Sequence, residues 1–192
     1  MDSSYYTKPL IFLIEVTLGL YTTIVLLRFL LQLVRADFYN PVSQFIVKAT
    51  RPLLTPLRRV LPGVGGIDLS SLVLAWLVKS LELMLIIALS GAGLHLLLPL
   101  VWAIPKLIDL TIDIFLFAIL IQVIISWVNP QGHNPILGLL YSLTEPILGP
   151  VRRRLPPMGG LDLSPMVVII VLYLLRMLLL PPIEALVGQL AR

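Results

Sequence analysis

Cysteine is absent from the chain, so disulfides, thiolate chemistry and cysteine-ligated metals are excluded, although the absence does not identify a redox compartment. Histidine is scarce: the 2 present, His95 and His133, have no carboxylate neighbours at ligand spacing. Zinc and haem sites therefore have no support, and no metal or cofactor is expected. The chain has no Walker-type Gly-Lys-Ser/Thr, no Gly-x-Ser-x-Gly and no His-Glu-x-x-His. Gly63 to Gly66 is a turn flanked by apolar residues and not a dinucleotide fingerprint. With no catalytic constellation in view, a non-enzymatic protein is expected. Charge is sparse as well. Only 12% of the 192 residues are charged, against about a quarter in soluble domains, which rules out a soluble globular domain.

What fills the chain is apolar: 58% of residues, with a mean hydropathy of +1.01. The apolar residues fall in blocks near the ~20 residues needed to cross a bilayer. Spans are expected over roughly 10–33, 68–90, 106–128 and 164–181. The stretch Leu94 to Ile104, broken by Pro99 and Pro105, is half a membrane long and reads as the end of the first half of the chain. The tail from Pro182 reads the same way for the second half. Met1 to Pro9 leads into a retained first span and not a cleaved signal.

One stretch occurs twice. Residues 40–70 and 134–164 are identical at 15 of 31 positions, without a gap. The offset is 94 residues, and the kept residues are mostly Asn, Pro, Thr, Arg, Gly and Asp. Asn40 and Asn134 precede Pro41 and Pro135, the order of an N-cap and a first helical residue. Pro52, Pro56 and Pro62, with Pro146, Pro150 and Pro156, forbid one long helix, because each removes a backbone donor and restricts the residue before it. Short helical turns separated by bends are expected, lying in the head-group region, with Asp68 or Ser70 and then Ser164 capping the following spans.

The basic residues sit mostly in these two loops: Arg35, Lys48, Arg51, Arg58 and Arg59 in the first, Arg152, Arg153 and Arg154 in the second. A net charge of +4 placed this way speaks for anionic lipid and against nucleic acid. By the positive-inside rule both loops are cytoplasmic and both termini outside. The expected fold is all-α: a polytopic membrane protein with four transmembrane helices in two parallel tandem repeats, residues 1–98 and 99–192. Each repeat carries a cytoplasmic interfacial helical hairpin. Arg58, Arg59, Arg152, Arg153 and Arg154 either grip phosphate groups of lipid or ligand, or only fix topology.

Within the spans stand Arg28, Lys79, Glu82, Gln122 and Arg176. Ionisable groups at that depth are functional by default. Glu82 and Arg176 are equivalent positions of opposite charge, and a buried pair between the second and fourth spans is one reading. The other is that both extend toward water. Arg28 either extends to the interface or bonds loop carbonyls. Glu15, Asp109 and Asp113 form either an acidic vestibule that concentrates cations or helix N-terminal acids favoured by the macrodipole.

The doubled motif, Asn40-Pro41, Thr50, Pro52, Pro56, Arg58-Arg59, Pro62, Gly65-Gly66 and Asp68 with its partners Asn134-Pro135 to Asp162, resembles the YggT family of small bacterial and plastid membrane proteins. The resemblance covers nearly the whole chain as two tandem copies. It implies an inner-membrane location and a role in osmotic or ion homeostasis, in placing the division machinery or chromosome, or, for plastid members, in cofactor assembly on cytochromes. Single-copy members imply pairing of chains, so an oligomer is compatible with it. The second copy departs at Arg51/Glu145, Val60/Arg154 and Gly63/Pro157. Two functions follow as expectations: ion or osmotic homeostasis through a channel or transporter-like unit, or a scaffold whose basic loops recruit a cytoplasmic protein partner or anionic lipid.

Overall fold

The computed structural model describes residues 4–61, 63, 66–91, 96–128, 135–155 and 162–190. It holds six helices among them: α1 (Ser4–Leu33), α2 (Pro41–Val60), α3 (Leu69–Leu89), α4 (Leu97–Val128), α5 (Pro135–Arg152) and α6 (Ser164–Leu190). No strand element occurs among the described residues. Four helices, α1, α3, α4 and α6, are long and apolar enough to span a bilayer, where only internally bonded backbone is tolerated. The chain is an all-α multi-pass membrane protein of two tandem repeats.

Several boundaries differ from expectation for one physical reason. Prolines that should end helices do not. Pro52 and Pro56 lie inside α2, Pro146 and Pro150 inside α5, Pro105 inside α4, and Pro181-Pro182 inside α6. Each proline removes one donor, but leaving the helix in an apolar setting would strand many more backbone groups. Side chains also take up carbonyls beside the breaks. Thr55 Oγ1 donates to Arg51 O at 2.8 Å, and Thr50 Oγ1 to Ile46 O at 2.8 Å. So each repeated loop is one helix, not a series of bent turns. From Leu97 on, the short apolar piece is not separated from the third span but forms the opening turns of α4. The tail continues α6, held to α4 by Lys106 and Glu184 (3.7 Å).

The caps expected at Asn40 and Asp68 are present, whereas Ser164 is not a cap but the first residue of α6. Asn40 accepts from Val42 N (2.9 Å) with Pro41 at the first helical position, and Asp68 accepts from Ser71 N (3.3 Å). Ser164 begins α6 with its N–H bonded to Asp162 (2.9 Å). The end of α1 closes through Ala36 N to Leu31 O (2.9 Å), with Arg35 at φ 54°, a left-handed terminus more usual for glycine. Pro62, Asn134, Pro156, His95 and His133 lie outside the described residues.

The spans stand in a row, α1 against α3, α3 against α4, α4 against α6; α3 does not reach α6. The largest core joins Val25, Leu26 and Leu30 of α1, Leu74, Ala75 and Val78 of α3, and Leu107, Ile114 and Ala118 of α4. Leu54 of α2 and Leu143 of α5 close it from below. Ile119, Leu148 and Val168 make a smaller cluster inside the second repeat. The repeats are tied by Trp76 Nε1 donating to Leu100 O (2.8 Å) and Asn40 Nδ2 donating to Pro135 O (2.6 Å).

Candidate functional site

The amphipathic pattern of α2 places Ser43, Ile46, Thr50 and Leu54 on one buried face. That spacing is a helix stripe, and it turns Thr50 toward α1. There Arg28, 6% exposed, donates from Nη1 to Thr50 Oγ1 and to Val47 O (3.1 Å). The loop-carbonyl reading of Arg28 is the geometry found. Arg28 Nε has no hydrogen-bond partner although it is buried, and an unmet buried donor is costly. The second repeat has the same joint in neutral form: Thr144 Oγ1 donates to Gln122 Oε1.

Beside each joint opens a cleft. In the first repeat it is about 550 Å³, lined by Arg28, Gln32, Phe38, Val47, Arg58, Gly63 and Asp68. A neighbouring cavity of about 210 Å³ shares Arg28, Val47 and Arg58 and adds Arg51, Leu54 and Thr55. In the second repeat a cleft of about 620 Å³ is bordered by the equivalent Gln122, Ser126, Tyr141, Arg152 and Asp162, and by apolar residues of α4 and α6.

The electrostatics of the two clefts differ. Arg58 Nη2 meets Asp68 Oδ2 at 2.5 Å, and Ser71 Oγ donates to the same oxygen. Burial alone would raise the Asp68 carboxyl, but Arg58 and Ser71 more than offset it and hold it below the usual carboxylate range. Arg51, exposed at the rim, forms no ion pair among the described residues. In the second repeat Arg152 is bonded from both sides, to Glu145 at 2.9 Å and to Asp162 at 3.0 Å. Burial works against its charge, yet the two carboxylates, Asp162 foremost, raise it above the ordinary guanidinium value. Asp162 is likewise held low: burial opposes this, but bonds from Ser164 and then Arg152 prevail. Glu145 reaches Arg152 over Gly149, where an added Cβ would lie 2.8 Å from its Oε1.

The remaining basic residues, Arg59, Arg153 and Arg154, are exposed beyond these clefts and have no ion pair among the described residues. The span charges do not pair as the symmetry suggested. Glu82, 4% exposed, meets Lys79 three residues away at 2.6 Å, and its Oε2 has no partner. Arg176 instead reaches Asp109 at 2.7 Å and Asp113 at 2.8 Å on α4. Equivalent residues of α3 and α6 cannot touch because those helices are not neighbours. Asp109 and Asp113 are thus committed to Arg176, and Glu15 stands apart, exposed on α1. Because α1 and α4 begin earlier than expected, none of the three acids lies in a first turn, where the macrodipole acts.

Sequence reading did not foresee that Thr50 and Thr144 meet Arg28 and Gln122, or that Asp68 and Asp162 pair with Arg58 and Arg152. A usable signal was present: Arg28 to Thr50 and Gln122 to Thr144 are both 22 residues apart, each linking a polar residue inside a span to a hydroxyl on the next helix.

A model of the CCB3/YggT family matches residues 7–89 and again residues 101–183. The chain is 49% identical to the uncharacterized protein PA0392 of Pseudomonas aeruginosa, over 93% of this chain and 92% of that one. It is 41% identical to the uncharacterized protein YggT of Escherichia coli K12, over 88% of each chain. An uncharacterized protein of Haemophilus influenzae is 42% identical over 83% of this chain and 84% of its own length. No solved structure matches.

Proposed function

The chain belongs to the CCB3/YggT family, as a tandem of two family copies, and from that premise we propose that it is a non-enzymatic scaffold or assembly factor of the bacterial inner membrane. In this reading α2 and α5 lie on the cytoplasmic face, the termini are periplasmic, and the outward arginines recruit anionic lipid or a cytoplasmic protein. One observation carries it. Both α2 and α5 bury an apolar face with a locked threonine against the spans, and each C-terminal end presents exposed arginines that form no ion pair among the described residues: Arg59 after the paired Arg58, and Arg153-Arg154 after the paired Arg152. A rigid basic helix at a bilayer surface attracts anionic head groups, by about 1 kcal/mol per basic residue near the surface.

The full chain in nanodiscs of phosphatidylcholine with increasing phosphatidylglycerol tests it. Replacing Arg59, Arg153 and Arg154 together by Gln should abolish the enrichment of anionic lipid around the protein and the capture of cytoplasmic partners. Unchanged enrichment and unchanged partners would end this reading. Reporter fusions at each terminus check the orientation.

A second reading, ion or osmotic homeostasis, draws on Glu82, a buried carboxylate in a span with one unpartnered oxygen. Liposomes holding the purified chain should then pass cations under an osmotic gradient, and Glu82→Gln should abolish the flux. The span charges are grouped within each repeat, Lys79 with Glu82 and Arg176 with Asp109 and Asp113, and this supports the scaffold over a conducting path between repeats.

A further inference from the structure

We propose that the smaller cavity beside α2 in the first repeat is an anion site for a phosphate group, bound by Arg28, Arg51 and Arg58, and that in the second repeat Glu145 instead neutralises the equivalent arginine, Arg152. The two cavities beside α2 share Arg28 and Arg58, and Arg51 lines the smaller one. The smaller cavity is thus lined by three guanidinium groups and, among the described residues, no carboxylate, while Asp68 lines the larger one and is already bonded to Arg58 and Ser71. Arg28 is buried, bonded to neutral oxygens, and keeps Nε unpartnered. A buried cation without a counter-ion and with an idle donor is an arrangement that an anion would complete.

The second repeat displays the completed form. Position 145 is the equivalent of position 51, and there a carboxylate bonds Arg152 at 2.9 Å. One cation now faces two carboxylates, Gln122 replaces the buried charge of Arg28, and no further anion is called for. The equivalent of Thr55 is Gly149, whose missing Cβ leaves room for Glu145. Arginine forks match the several oxygens of a phosphate group better than they match other common anions. The phosphate comes from an anionic lipid head group or from soluble phosphate. Both present the same oxygens, and the cleft lies at the end of a span, within reach of either. The inference deepens the scaffold reading by naming a site, but it does not depend on Arg59, Arg153 or Arg154.

The test uses the full chain purified in a neutral, phosphate-free detergent, titrated calorimetrically with inorganic phosphate and, separately, with short-chain phosphatidylglycerol or phosphatidylcholine. One of the anions should bind once per chain. Arg51→Glu, an exposed change that installs the residue of the second repeat, should weaken it at least about tenfold. Glu145→Arg combined with Gln122→Arg should open a second equivalent site. Replacing Arg59, Arg153 and Arg154 by Gln should leave this binding as it is, even where it removes bulk lipid enrichment. Phosphatidylglycerol binding that free phosphate cannot match identifies a lipid site; equal or tighter binding of phosphate identifies a soluble ligand. The proposal is overturned if neither anion binds, if two equivalents bind to the unaltered chain, or if Arg51→Glu leaves affinity unchanged while the folded fraction is intact.

Discussion

The two repeats share a frame and differ in what it holds. In the first, a buried arginine reaches across to Thr50; in the second, a glutamine meets Thr144. In the first, Arg51 adds a cation to a cleft that already has two; in the second, Glu145 neutralises one. Thr50, the prolines, Arg58 and Asp68 all have identical partners 94 residues on, so the joint between span and surface helix is common to both. What differs is the charge placed in the joint. The difference teaches that the doubled motif is structural first, and that chemistry specific to one copy enters where the copies disagree.

The largest effect should separate the two joints directly. Thr50→Val removes a buried acceptor from Arg28 and leaves a charged group short of a partner, which typically costs about 2–3 kcal/mol. Thr144→Val leaves a neutral amide short of one bond, about 1 kcal/mol. Both threonines are fully buried and the exchange nearly keeps their volume, so the contrast isolates the charge. Unfolding of the two variants in detergent measures it. Equal losses would mean that the Arg28 joint is no more demanding than its neutral counterpart.

How much of this was legible beforehand depended on whether a feature is local. Four apolar blocks announced four spans, and Asn40-Pro41 announced the start of α2. The prolines misled, because the rule against proline in a helix weighs one lost donor and not the alternative. Around Pro52 and Pro56 the carbonyls are met by Thr50 and Thr55 within α2 and by Arg28 of α1, and only the last bond depends on how α1 packs. Equivalence of Glu82 and Arg176 said nothing about adjacency, since the order of spans in the row is a tertiary fact. The exchange of Arg51 for Glu145 was visible as a departure, but only the cleft gives it meaning.

A smaller contrast concerns the two aspartates. The Asp68 side chain is 3% exposed and that of Asp162 43%. Asp68→Asn should cost about 1–2 kcal/mol through a weakened cap and ion pair, and Asp162→Asn about 0.5 kcal/mol, as for an exposed pair. Both carboxyls are held below their ordinary value in the folded chain. Their contribution is therefore fully present above the unfolded value of about 3.9 and is lost as pH falls through the lower folded value. Stability of the wild type relative to Asp68→Asn should be constant above about pH 5 and converge below that. A difference that grew on acidification would contradict the assigned sign.

The smallest change sharpens the comparison most finely. Gly149 stands where the first repeat has Thr55, and a Cβ there would come within 2.8 Å of Glu145 Oε1. The far end of a flexible side chain can move, so Gly149→Ala should not disrupt α5. Alanine gains about 1 kcal/mol of helix propensity over glycine, while an exposed ion pair is worth about 0–1 kcal/mol. Net stability should change by only a few tenths of a kcal/mol, since the two terms oppose each other. The displaced carboxylate should nevertheless release one side of Arg152 and make the second cleft more like the first. Infrared difference spectra of the Glu145 carboxylate, isolated by comparison with Glu145→Gln, would register its release from the guanidinium. An unaltered carboxylate band would mean that Gly149 is not what seats Glu145, and the proposed contrast between an uncompensated and a neutralised arginine cluster would then rest on residues 51 and 145 alone.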